Sequence, residues 1–177
     1  MNLPNKLTVI RMAAVPFFIA AYLLKMFPAA LVIFIAASIT DFFDGKIARE
    51  RGLVTNFGKI MDPLADKILV YSALCLFIES DIIAAWMLIL ILAREFVVAG
   101  MRTVAASEGT VLAAGMSGKI KTVLQMVAVI VFLLALCLGD KGAMVMKAGS
   151  IIFYASLVMT VYSGTEYVLK NRGVFRQ

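Results

Sequence analysis

Four aspartates, Asp41, Asp44, Asp62 and Asp66, stand within the stretch DFFDGKIARERGLVTNFGKIMDPLAD, three residues apart in the first pair and four in the second. On a helix turning 100° per residue, Asp41, Asp44, Gly45 and Ala48 share one face, and Asp62 and Asp66 stack one turn apart with Gly58 one turn before them. The connection between the two helices is short, about residues 50–56, so they are expected to be antiparallel neighbours with their aspartate faces opposed. Four carboxylates brought together in a partly desolvated place raise one another's pKa unless positive charge sits among them. An all-oxygen donor set without His or Cys selects hard cations, so Mg2+ or Mn2+ is expected, and four shared carboxylates suit a pair of ions. Gly45, Gly58 and Ala48 leave room for a nucleotide or phosphate beside the helix backbone, and Arg49 is a natural phosphate partner. Two other readings explain the acids less fully. In a structural ion-pair cluster they would pair with Lys46, Arg49, Lys59 and Lys67, and in a divalent-ion carrier they would bind the ion in transit.

The elements that must position these residues lie in lipid. The chain of 177 residues is 63% hydrophobic and 16% charged, with mean hydropathy +0.98, far from the range of domains that face water. We therefore expect an all-α integral membrane protein, one domain over residues 1–177, placed in the cell membrane. The net charge of +6 is carried at the ends of apolar runs, where headgroups attract it, which argues against nucleic acid as a partner. Cys75 and Cys137 sit singly in apolar segments and are expected as packing residues rather than a disulfide or zinc site. With no histidine, proton transfer near neutral pH falls to a carboxylate, lysine, tyrosine or water.

Apolar runs over Met12–Leu24, Pro28–Ile39, Ile68–Ile78, Ile82–Ala93, Thr122–Leu138 and Ala148–Gly164 predict six transmembrane helices after a short N-terminal juxtamembrane segment. The first four runs fall short of the roughly 20 residues a crossing needs. Each suffices only if its helix continues into a polar stretch: Asn5–Arg11, Thr40–Arg49, Asn56–Lys67 and Arg94–Arg102. Charged helix surface at that depth is tolerated around a wet, protein-lined cavity, so the four half-polar ends are expected to meet on one side. Of 17 Lys and Arg residues, only Lys25, Lys141 and Lys147 fall on the other side when the N-terminus is inside. That bias puts both termini and the polar chamber toward the cytoplasm. A basic start followed by an apolar stretch and FPAA also has the layout of a cleaved signal peptide, but Pro16 interrupts the run and Lys25 flanks the cleavage site.

Written out, the spacing is Asp41-x2-Asp44-Gly45-x2-Ala48-Arg49-x8-Gly58-x3-Asp62-x3-Asp66. It resembles the signature of the CDP-alcohol phosphotransferase family at every specified position. PNKLTVIR, AREFVVAGMR and GKIKTVLQ extend the likeness over most of the chain, toward the branch that joins CDP-diacylglycerol to glycerol 3-phosphate. The resemblance implies that Asp41, Asp44 and Asp62 bind metal and that Asp66 binds metal and serves as general base. It implies that Gly45, Ala48, Arg49 and Gly58 line the CDP site, with Asn5, Thr8 and Arg11 beside the diphosphate. Over Ala93–Gln125, Arg94, Arg102, Lys119 and Lys121 are expected to hold the acceptor phosphate, and a homodimer is implied. Inositol phosphate, serine or phosphatidylglycerol as acceptor would use the same aspartates, so the cationic set is what favours a phosphorylated one. Tyr154, Tyr162 and Tyr167 are expected to pack or sit at the interface, without chemistry.

Overall fold

In a computed structural model the backbone is described for residues 3–50, 56–107, 109–110, 112–113 and 115–175, and side chains for 8–40, 61, 64–65, 67–107, 109–110, 112–113 and 115–173. Every regular element among them is helical: α1 (Leu3–Leu23), α2 (Phe27–Glu50), α3 (Asn56–Glu79), α4 (Ala85–Ser107), α5 (Met116–Leu138) and α6 (Ala143–Lys170). Short 3-10 turns occupy Gly139–Gly142 and Arg172–Phe175. The polar stretches Asn5–Arg11, Asn56–Lys67 and Arg94–Arg102 continue the helices of their apolar runs, as does Thr40–Arg49. The expected juxtamembrane segment is not a separate piece; Asn5 to Arg11 forms the first turns of α1, which runs on through Pro16.

Two helix ends come without the glycine that usually marks them. After α1, Met26 N–H donates to Ala21 and Lys25 N–H to Tyr22, with Lys25 at φ 57. After α3 the same pattern recurs, Ile82 to Phe77 and Asp81 to Ile78, with Asp81 at φ 56. Both are Schellman closures, which satisfy the last carbonyls of a helix through a left-handed residue. The second one corrects the expected start of the fourth helix, since the chain turns at Ser80 and Asp81, residues 82–84 are not helical, and α4 begins at Ala85.

An aromatic ladder holds one end of the bundle together. Phe18 and Phe34 lie 5.8 Å apart between ring centroids, Tyr22 and Phe77 5.9 Å, Phe77 and Phe132 5.3 Å, and Phe132 and Phe153 6.0 Å, linking α1, α2, α3, α5 and α6. Tyr22 shares a hydrogen bond with Ser80 at 2.8 Å, tying the ends of α1 and α3. On α6, Gly149 lets the backbone approach this ladder: an added Cβ would stand 2.8 Å from Phe132 Cδ1. Small residues give helices in lipid this close approach. Gly149→Ala is therefore expected to overpack the ladder at a cost of about 1–3 kcal/mol, read as a lowered melting temperature in detergent. An unchanged melting curve would show that the ladder yields there.

The packing is apolar outside and partly polar within. Phe17, Phe96, Met144, Ile151 and Val158 are at least two-thirds exposed, whereas Thr8, Arg11, Lys121, Gln125, Ser156, Thr160 and Ser163 are buried. Such a surface is suited to lipid rather than water. Among the described residues, the stretch Met116–Lys170, which holds α5 and α6, is long and apolar enough to cross a membrane by length and composition, and Thr8–Leu23 and Phe27–Thr40 are shorter apolar helices. The two cysteines are free. Cys75 is exposed on α3 rather than packed, and Cys137 is half-buried.

Candidate active site

Lys67 of α3, Arg94 and Arg102 of α4, Gly118 and Lys119 of α5, and Glu166 and Tyr167 of α6 converge on one cleft of about 590 Å³ at the end of the bundle away from the aromatic ladder. Each belongs to the half-polar part of its helix or to the turn beside it. The helices alternate in direction, which carries these polar ends to the same side. Lys67, Arg94, Arg102, Lys119 and Lys170 line the cleft against Glu95 and Glu166, so its wall favours an anion.

The two carboxylates are already engaged. Glu95 accepts from Lys121 at 2.5 Å and Arg94 at 2.8 Å through Oε1, and pairs with Lys67 at 2.8 Å through Oε2. One acid therefore gathers cations from α3, α4 and α5. Glu166 accepts from Ser117 at 2.5 Å and from Lys170 at 2.5 Å, joining α5 to α6 at the mouth. Arg102 is steered from α6, where the Tyr167 hydroxyl accepts from its Nε at 3.1 Å.

Of the four cations expected to hold an acceptor phosphate, Arg94, Arg102 and Lys119 line the cleft. Lys121 is placed differently. Its side chain is 3% exposed, turned toward Glu95, and borders a smaller cavity with Gln125, Tyr71 and Lys67. Thr8 and Arg11 are fully buried in the polar half of α1. Asp41, Asp44, Gly45, Ala48 and Arg49 are carried on the last turns of α2, and Gly58, Asp62 and Asp66 on the first turns of α3. The side chains of that set and of Asn5 lie outside the described residues, as does the connection over 51–55.

Three residues entered the site without having been singled out for it. Glu95 was read only as the neighbour of Arg94, although an acid inside an apolar helix is itself a signal. Glu166 carried the same signal near the end of α6. Tyr167 was expected to be inert, and it is buried as expected, but it also holds Arg102. Nothing in its local sequence marks it off from Tyr162, which is exposed.

Comparison with known proteins adds an independent finding. A sequence model described as CDP-alcohol phosphatidyltransferase matches residues 1–162. A Bacillus subtilis protein named CDP-diacylglycerol--glycerol-3-phosphate 3-phosphatidyltransferase is 42% identical over 185 aligned residues, covering 96% of this chain and 95% of its own. Proteins of the same name from Rickettsia bellii and Salmonella typhimurium are 41% and 36% identical, covering 94% and 97% of this chain and 93% and 96% of their own.

Proposed function

This chain belongs to the CDP-alcohol phosphatidyltransferase family, and on that premise we propose that it transfers the phosphatidyl group of CDP-diacylglycerol to the primary hydroxyl of glycerol 3-phosphate. The products are phosphatidylglycerophosphate and CMP. The observation that carries the acceptor is the convergence of Arg94, Arg102 and Lys119 with Lys67 on a single cleft, because Lys67 directly follows Asp66 on α3. The reading thus puts the acceptor phosphate and the proposed base on the same turn of α3.

In the reaction, Asp66 accepts the proton of the primary hydroxyl as that oxygen attacks the lipid-bearing phosphorus in line. A new oxygen–phosphorus bond forms, the bond to the bridging diphosphate oxygen breaks, and that oxygen leaves on CMP. Arg94, Arg102 and Lys119 hold the acceptor phosphate, while Gly45, Ala48, Arg49 and Gly58 border the nucleotide, with Asn5, Thr8 and Arg11 beside its diphosphate. Asp41, Asp44, Asp62 and Asp66 fit a hard divalent ion by donor type and by their one-turn spacing on adjoining helices, and would hold two Mg2+ or Mn2+ ions. Such ions, when bound, neutralise charge on the diphosphate. The deciding experiment measures CMP release from CDP-diacylglycerol in detergent against a panel of acceptors. Release with serine or inositol phosphate but not with glycerol 3-phosphate would replace the acceptor, and no release with any would sink the reading.

The same reading sets the six helices across the cell membrane with both termini and the cleft in the cytoplasm. The charge bias supports it, and so does the chemistry, since nucleotide and glycerol phosphate are water-soluble while the acyl tails stay in lipid. The apolar outer faces of the helices leave lateral surface for a second copy, and a homodimer belongs to the proposal. In a variant lacking Cys75 and Cys137, Thr110→Cys and Arg172→Cys should react with an impermeant thiol reagent only from the cytoplasmic side, and Asp140→Cys only from outside. The reverse pattern would turn the cleft to the wrong face.

A further inference from the structure

The side chain of Arg94 runs between two glycines. A Cβ added to Gly164 of α6 would stand 2.8 Å from Arg94 Cγ, and one added to Gly118 of α5 would stand 3.2 Å from Arg94 Nη2. The stem thus lies against bare backbone of α6 and the tip against bare backbone of α5. These glycines border different surroundings. Gly164 lines an apolar groove between α4 and α6 with Leu90, Val97, Val161 and Leu169, whereas Gly118 lines the polar cleft, and Arg94 borders both. The arginine therefore keeps its methylenes in the groove and delivers its charge to the cleft. At the tip, Nη1 donates to Glu95 at 2.8 Å, while Nε is buried without a hydrogen-bond partner. Leaving an N–H buried and unpaired is unfavourable, so the confinement of the stem, rather than hydrogen bonding at Nε, accounts for this pose.

We infer that Gly164 is a positioning residue for the acceptor phosphate: with Gly118 and Glu95 it forms a slot that sets how far the Arg94 guanidinium reaches into the cleft. The inference rests on the acceptor reading above. A methyl group at residue 164 would meet the stem near its root, where a small displacement swings the whole guanidinium. A methyl group at residue 118 would meet only the flexible tip, so Gly118→Ala should act in the same direction and less.

The test uses the full chain in detergent, with Gly164→Ala, Arg94→Ala and the double variant. Gly164→Ala is expected to raise the KM for glycerol 3-phosphate about tenfold, the size of one lost charge-assisted contact, and to change the KM for CDP-diacylglycerol by less than about twofold. In the Arg94→Ala background it should add nothing, because a residue acting through Arg94 has no effect once Arg94 is gone. Equal rises in both KM values, or the same effect with and without Arg94, would make Gly164 a packing residue only and overturn the slot. Glu95→Gln frees the tip without a new methyl group, and must raise the KM for glycerol 3-phosphate more than that for CDP-diacylglycerol and do so less in the Arg94→Ala background, where only the contacts with Lys67 and Lys121 are left to lose; an effect undiminished by the loss of Arg94 overturns the slot even where Gly164→Ala does not fold. A rise in melting temperature on adding inorganic phosphate reads the cation without turnover and should shrink in Gly164→Ala. That shrinkage, found in a protein that releases no CMP with glycerol 3-phosphate, would support the slot and reject the acceptor reading.

Discussion

Asp66→Asn is expected to lower kcat by about two to four orders of magnitude, the usual share of a positioned general base, while both substrates still bind. Asparagine keeps the shape and can accept a hydrogen bond, but it cannot take the proton that the attacking hydroxyl must shed. With no histidine in the chain, no neighbouring imidazole can replace it. The substitution also removes one carboxylate from a set of four, so Asp44→Asn and Asp62→Asn should be inactive as well, for loss of divalent ion rather than loss of base. Excess chelator should silence the wild-type protein and added Mg2+ or Mn2+ should restore it. The assay is CMP release alongside a folded-protein measurement in detergent, because acids in a membrane helix are retained for function more than for stability. Full turnover in chelator would remove the ions from the mechanism, and near-normal kcat in Asp66→Asn would move the base elsewhere.

The extent of the helices was legible once the apolar runs were read as membrane crossings, which need a length of about 20 residues. Runs too short to cross had to borrow the polar turns beside them, and α1 through α4 do include Asn5–Arg11, Thr40–Arg49, Asn56–Lys67 and Arg94–Arg102. The turn at Asp81 was not legible, since the left-handed position there carries an aspartate where glycine is the usual marker, and Ile82 and Ile83 continue the apolar signal across it. The cationic cleft was legible residue by residue but not in its wiring. Glu95 meets Lys67 and Lys121 only because α3, α4 and α5 pack together, and sequence spacing within one helix reports i, i+3 and i+4 neighbours alone. Gly164 was hidden for a related reason: it closes the last apolar run like an ordinary small residue, and its meaning depends on an arginine 70 positions away across a helix interface.

The wiring decides how the cations should differ, and Arg102 and Lys121 give the sharpest contrast. Arg102 is exposed to the cleft and among the described residues is held by Tyr167 alone, at its Nε, so its remaining donors face an incoming phosphate. A charge-assisted contact of that kind is worth about 1.5–3 kcal/mol, and Arg102→Ala should accordingly raise the KM for glycerol 3-phosphate about ten- to a hundredfold. The KM for CDP-diacylglycerol should hardly move, since the residues proposed to border the nucleotide and its diphosphate lie on α1, α2 and α3. Lys121 is sealed behind Glu95, and its removal leaves Arg94 and Lys67 still paired to that carboxylate. Lys121→Ala should therefore reach the acceptor only through Glu95 and shift the same KM by less than Arg102→Ala does. Steady-state kinetics with each substrate varied in turn separates the two cases. Equal effects would mean that Lys121 leaves Glu95 and enters the cleft during turnover, and an unchanged KM in Arg102→Ala would reduce that arginine to a membrane-side anchor and take the acceptor phosphate out of this part of the cleft.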